Sequence, residues 1–364
     1  MNMVLFRTGV VFAVILSLVI VLSPVGNARF FEQDTLRQFD SVDNTASSNL
    51  FSYRWNARDI TVKLFEIIEN NGNTSVNATI YLPIPRSLFS QDIQGPLRYN
   101  VAPNGYKTDR WGQEVAYYHE TISPDHNFTL SWEINATIYT IRYFLLPWLV
   151  TGEIPEDIKT KYTADDTKYQ INHPCIQNIV SKVTAHTNNI LFKAIKLHNY
   201  IGNHLEYVLD DKWDDAPTVL QRGNGSCSEY CFVYIALLRA AGIPARYIGG
   251  TVFKADRTPY IDDVFHRIVE IYLPNYGWIP VDPTWNDYTK VPFFYFGSHQ
   301  NNFLILNTGG GSSTYLDWNY CHWEEWTPAS ENVDVNISFT WEKWERPSGI
   351  HRDINSNKIL EWLS

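Results

Sequence analysis

Along Ile60 to Ile67 and Ser75 to Leu82 the chain is rich in β-formers and alternates between apolar and polar positions. That period of two puts successive side chains on opposite faces of a strand. Asn70-Asn71-Gly72-Asn73 between the two runs is a strong turn signal. Glu114 to Thr121, Phe128 to Glu133 and Thr137 to Leu145 continue the pattern, so residues 30–150 read as a β-sandwich-like domain. No nucleophile, base and orienting group stand out in it. Pro147 and Gly152 to Pro155 mark a boundary. The period then changes. Cys175 to His186 and Asn188 to Asn203 carry apolar residues three to four apart, such as Ile190, Ala194, Leu197 and Ile201, which predicts two helices. Leu205 to Leu209 reads as a short extended piece, and the Asp210-Asp211 and Asp214-Asp215 pairs as a solvated loop.

The stretch around which the rest is arranged is Asn224 to Gly250. Ser226, Ser228 and Glu229 are helix-start residues, whose oxygens satisfy the unpaired N–H groups of a first turn. Phe232 to Leu238 is apolar nearly all round, as in a helix covered on every side. Gly242 and Pro244 stop it. Cys227 therefore sits at the helix mouth, where the dipole and the unpaired donors favour a thiolate. On this alone it is either an activated thiol or a small buried hydrophobe. Glu229 reads as a first-turn charge favoured by the dipole.

Three strands follow: Ala245 to Lys254, His266 to Leu273 and Gly277 to Val281. Alternation puts His266, Ile268 and Glu270 on one face of the middle strand, and Arg267, Val269 and Ile271 on the other. The turn at Pro274 to Gly277 makes an antiparallel hairpin, which brings Asp282 beside His266. A thiol attacking a carbonyl needs a base, and the base needs an orienting group. Taken singly, a histidine at a strand start is usually surface or satisfied core, and an Asp-Pro is usually a turn. Residues 290–364 hold further aromatic strands, a Gly309-Gly310-Gly311 loop and a short amphipathic end, Ile359 to Leu363.

Composition narrows the function. The 364 residues are 45% hydrophobic and 19% charged, which is globular material. The formal net charge of −10 and the lack of basic stripes argue against a nucleic-acid partner. Thirteen Trp and 22 Tyr suit sandwich cores and surfaces that grip chains or sugars. Residues 1–28 read as a signal peptide or an uncleaved membrane anchor: Arg7, an apolar run from Gly9 to Leu22, then Pro24 and Gly26-Asn27-Ala28. Either way the remainder is expected outside the cell or at its surface, with the membrane touched only through this segment. Sequons at Asn73, Asn77, Asn127, Asn135 and Asn336 fit an exported glycoprotein; the one at Asn224 would carry a glycan over the cysteine and is expected bare. Cys227 and Cys231, four apart, lack a second Cys or His pair, so no metal site is expected. With Cys227 free, a Cys175–Cys321 disulfide is the expected pairing among the remaining thiols.

In combination these residues resemble the transglutaminase-like superfamily, the papain-related group in which Cys, His and Asp follow in that order. The matching pieces are Gly225-Ser226-Cys227-Ser228-Glu229, Leu237 to Arg246, His266 with Glu270, and Gly277-Trp278 followed by Asp282-Pro283-Thr284. The resemblance implies an α+β fold: a papain-like core with a central helix on an antiparallel sheet over residues 155–330, after a β domain at 30–150 and before a 331–364 extension. It implies Cys227 as nucleophile, His266 as base then acid, and Asp282 as orienter. The Cys227 N–H is then the expected oxyanion donor, with Gln221 a weaker match to the glutamine of papain-like enzymes. Arg267-Ile268 departs from an Ala-Trp pair frequent in the family, and Cys231 stands where a small residue is usual. Arg239, Arg246, Glu229 and Glu270 read as structural, with Glu270 facing the helix. The implied function is an exported cysteine acyl-transfer enzyme acting on amide bonds of peptides or proteins, without a cofactor, hydrolytic rather than crosslinking. A cell-envelope polymer is a further candidate partner. The alternative is a non-catalytic cell-surface module binding peptide or glycan on the same fold.

Overall fold

The computed structural model describes residues 51–284 and 294–345. The targeting segment 1–28 and the amphipathic end Ile359 to Leu363 lie outside the described residues. Six strands come first: β1 (Ser52–Asn70), β2 (Val76–Pro83), β3 (Gln91–Tyr99), β4 (Gly105–Thr108), β5 (Glu114–Ile122) and β6 (His126–Tyr143). The runs Phe128 to Glu133 and Thr137 to Leu145 belong to one strand, β6, paired with β1 from Asn70↔His126 to Ser52↔Tyr143. Asn135 does not break it, because its Oδ1 accepts from Thr61 Oγ1 of the opposing residue at 2.8 Å. β3 runs through Gly95-Pro96. Gly95, at φ 76°, takes up a bulge where the register slips between Gln94 and Arg98.

The helical section holds α1 (Glu156–Tyr162), α2 (Pro174–Val183), α3 (Ile190–His204), the short β7 (Glu206–Tyr207), α4 (Ala216–Arg222), β8 (Asn224–Gly225) and α5 (Cys227–Ala240). Local chemistry starts the helices. Asn189 Oδ1 accepts from Leu191 N at 3.0 Å to cap α3, and Asp215 Oδ1 accepts from Thr218 N at 3.0 Å to cap α4. Residues 227–239 of α5 are all buried, as an all-round apolar helix requires. Each fully buried Leu, Ile or Phe there contributes about 1.5–3 kcal/mol.

Next come β9 (Ala245–Val252), β10 (Tyr260–Asp262), β11 (His266–Leu273), β12 (Gly277–Val281), β13 (Ser298–His299), β14 (Phe303–Gly309), β15 (Trp323–Thr327) and β16 (Val333–Lys343). An antiparallel sheet of order β12-β11-β9-β14 carries α5 on one face. The first domain is two sheets, β10-β16-β1-β6-β13 with β3 also on β6, and β15-β2-β5-β4. β15 pairs with β2 and β16 with β1, so the boundary drawn at 330/331 falls between two strands that both return to the first sandwich. Strands this far apart in sequence leave no local mark of who their partner is. The interior is filled by Val62, Leu64, Ile80, Leu82, Trp132, Ile134 and Trp341, all almost fully buried.

Glu66 lies on the same face of β1 as Leu64 and Ile68, and is completely buried. Burial pushes its carboxyl well above the usual carboxylate range, and the neighbouring Glu324 carboxyl adds to the rise. The group therefore keeps its proton. Its folded value exceeds its unfolded one, so its contribution is fully present below about pH 4.3 and is lost as pH rises. Glu66→Gln is expected to stabilise the protein by about 1–2 kcal/mol at pH 8 and by little at pH 4. Denaturant midpoints at the two pH values check this. Gly250, which pairs with His266 in register, has Leu304 O only 2.4 Å from where a Cβ would stand. Gly250→Ala should cost about 1–3 kcal/mol in the same measurement.

Candidate active site

Because α5 is buried along its length, only its N-terminus can present chemistry. Three neighbours tie that end down through Glu229, which is fully buried in the first turn. Glu229 accepts from Ser226 N at 2.9 Å, from Asp214 N at 2.9 Å and from Arg222 Nη2 at 2.8 Å. The carboxylate thus fastens the 210–226 loop to the helix. Cys227 follows the cap residue Ser226 as the first helical residue. N–H groups of that turn have no intrahelical partner.

His266 opens β11, which pairs with β9 through His266↔Gly250 and with β12 through Val269↔Val281. One residue beyond β12, Asp282 Oδ2 accepts from His266 Nε2 at 2.6 Å. Asp282 Oδ1 accepts from Thr284 N at 3.0 Å, and the Asp282 N–H donates to Tyr295 O at 3.1 Å. The carboxylate is therefore held before it holds the imidazole. Cys227 meets the start of β11: its Sγ lies 3.9 Å from Phe265 O, accepts from the Arg267 N–H, and is hydrogen-bonded to the His266 ring. With Nε2 committed to Asp282, Nδ1 is the ring atom left for sulfur. The ring packs edge-on against Phe303 with centroids 5.9 Å apart.

The electrostatics follow from this geometry. Burial pushes the Cys227 thiol up, but the His266 hydrogen bond and charge, with Arg267 behind them, outweigh it and lower the thiol below its ordinary value. Burial works against a charge on His266, yet Asp282 and Cys227 together raise it to about 10. Both shifts favour the thiolate–imidazolium form of the pair. The other three cysteines go the opposite way. Burial raises Cys175 and Cys231, and lifts Cys321 to about 11. Cys227, His266 and Asp282 are only 5, 6 and 4% exposed, so the three groups act in a nearly dry setting.

Several expectations need correction. All four cysteines are free, with Cys321 buried and Cys175 half-buried, so the Cys175–Cys321 bridge is not formed. Glu270 does not hold the helix. It pairs across the sheet with Arg246, Nη2 to Oε2 at 2.5 Å, because Val269 and Ile271 take the α5 face. Gln221 ends up exposed on α4. Arg239 is buried and structural, with Nη1 donating to Ala164 O and Nη2 to Ala245 O at 2.6 and 2.7 Å. Among the described residues, no group of three or more His, Cys, Asp or Glu side chains is placed to hold a metal ion. Nor is any helix among them long and apolar enough to cross a membrane. Arg267, Asn319 and Trp213 were not foreseen at the site. The one sequence signal was the arginine after His266, where the related pattern has a small residue.

The family model of the transglutaminase-like superfamily matches residues 177–283, a span that includes Cys227, His266 and Asp282. An uncharacterized protein of Haemophilus influenzae is 30% identical over 35% of this chain and 42% of its own. The uncharacterized protein YebA of Bacillus subtilis is 26% identical over 34% of this chain and 20% of its own. The chain thus spans less than half the length of these curated relatives. A solved structure of a candidate cysteine protease from Cytophaga hutchinsonii superposes with a TM-score of 0.59 at 18% identity, covering 84% of this chain and 97% of that one. That likeness is one of fold.

Iodoacetamide alkylation of Cys227 should show an acid limb below the ordinary thiol value of about 8.5. Asp282→Ala lets burial return His266 to its neutral form, so the limb should rise by about one pH unit. Peptide mapping in a Cys175→Ser background, which removes the more accessible thiol, reads this directly.

Proposed function

Because the chain belongs to the transglutaminase-like superfamily through residues 177–283, we propose that it is a cysteine enzyme that opens amide bonds by acyl transfer. The observation that carries this reading is the contact of Cys227, His266 and Asp282 at the N-terminus of α5. The Cys227 thiolate attacks the amide carbonyl carbon. The oxygen takes up negative charge beside the Cys227 N–H at the helix end, where donor and dipole favour it. His266 gives its Nδ1 proton to the departing nitrogen as the C–N bond breaks, leaving a thioester on Cys227. A second nucleophile then loses its proton to His266 and attacks the thioester, and sulfur leaves as thiolate. Asp282 keeps the ring aligned in both halves and balances the imidazolium.

Water as that second nucleophile yields a peptidase or amidase, and a lysine amine yields a crosslink. Hydrolysis is our choice, by analogy with the candidate cysteine protease that shares the fold. The near-complete burial of the sulfur supports a slender substrate, an extended peptide or a single amide side chain. We further propose that the protein works outside the cell or at its surface, as its N-terminal segment suggests.

A panel of peptides, with and without a primary amine, read by mass spectrometry, tests the chemistry. Cleavage with addition of one water is expected; loss of ammonia with amine incorporation would mean crosslinking. Cys227→Ala should lower turnover by at least about a thousandfold with the fold intact. Binding without turnover, together with an unreactive Cys227, would favour the binding-module alternative.

A further inference from the structure

We propose that the buried Arg267 guanidinium is a second positioning cation for Cys227, standing behind the sulfur on β11 as His266 stands beside it. This rests on the reading of Cys227 as nucleophile. Arg267 is 5% exposed, on the face of β11 that packs against α5. Among the described residues it forms no ion pair with a carboxylate. Nη2 donates to Asn319 O at 2.7 Å and to Asn319 Oδ1 at 3.0 Å, while Nε is buried without an acceptor. The guanidinium carbon lies 5.3 Å from the Trp213 ring centroid and 5.9 Å from that of Phe265, so the flat cation is wedged between aromatic faces. A buried cation usually sits on an acid, since an unpaired one is costly. Here the groups that act on its charge are, strongest first, Cys321, Tyr247 of β9, and Cys227 and Cys231 of α5.

Of those four, one is shifted toward its charged form. Burial raises Cys231, Tyr247 and Cys321, which stay neutral, whereas Cys227 is lowered. Cys227 is thus the one of the four whose anion the Arg267 charge helps to favour. The backbone of the same residue donates its N–H to that sulfur. The remaining charges near Cys227 are His266 with Asp282 behind it, and Glu229, which is neutralised by Arg222. Asn319 holds the guanidinium in place. Its Nδ2 lies 3.0 Å from His322 Nε2, and His322 Nδ1 donates to Glu324 Oε1 at 2.6 Å. The arginine is therefore anchored by Asn319, and no carboxylate among the described residues pairs with its charge.

The test is the pH dependence of Cys227 alkylation, which needs no substrate. In a Cys175→Ser background, Arg267→Met should move the acid limb up by about one pH unit, an about tenfold slower reaction at a fixed pH on that limb. Arg267→Lys should restore most of it. His266→Gln alone should leave the limb below that of an ordinary thiol, and adding Arg267→Met should bring it to the ordinary value. Should Arg267→Met fail to fold, Arg267→Gln keeps a donor for Asn319 without the charge and carries the comparison. A natively folded Arg267→Met or Arg267→Gln protein whose limb coincides with wild type overturns the inference and leaves Arg267 a packing group. Wild-type Cys227 that does not alkylate removes the nucleophile reading, and this inference with it.

Discussion

A charge taken out of water survives only where another charge or a set of hydrogen bonds replaces the lost solvent. That constraint organises the centre of this molecule. Burial opposes ionisation of Cys227 and of His266 alike; His266 lowers the thiol, while Asp282 first and Cys227 after it raise the imidazole. Asp282, held by Thr284 N, makes the balance tip. Remove one member and the others face the desolvation cost alone. The result is a nucleophile favoured toward its anion without being exposed.

The scaffold meets this demand by fixing two element ends rather than a flexible loop. One is the start of α5, fastened through the buried Glu229 to Arg222, Ser226 and Asp214. The other is the start of β11, approached through β10. Asp262, almost fully buried at the end of β10, accepts from Thr251 Oγ1 and Val252 N, each at 2.8 Å, and from Lys254 Nζ at 2.9 Å. That ties the chain just ahead of His266 to β9.

The β domain is more than a preceding appendage. β10, which leads into β11, is the outer partner of β16, and β13 pairs with β6. Trp341 of β16 donates its indole N–H to Thr251 Oγ1 at 3.0 Å. The sandwich and the site-bearing sheet thereby share hydrogen bonds and a continuous interior, and all described residues fall in one compact unit. The His322–Asn319–Arg267 connection extends that continuity to β11, the strand that opens with His266.

Local order was legible in the chain. The all-round apolar run after Cys227, the start residues before it and the stop at Gly242 define α5, because helix periodicity and capping are properties of neighbours in sequence. The same holds for β11, β12 and the hairpin that sets Asp282 against His266, since a short turn fixes register. Partnerships between distant segments were not legible. The return of β15 and β16 to β2 and β1, the free state of Cys175 and Cys321, and the turning of Glu270 toward Arg246 all depend on which surfaces meet after folding. Arg267 shows the division most clearly. The sequence marked it as unusual, but only packing against Trp213, Asn319 and α5 gives its charge a direction, because an electrostatic role depends on distances in space that no local pattern encodes.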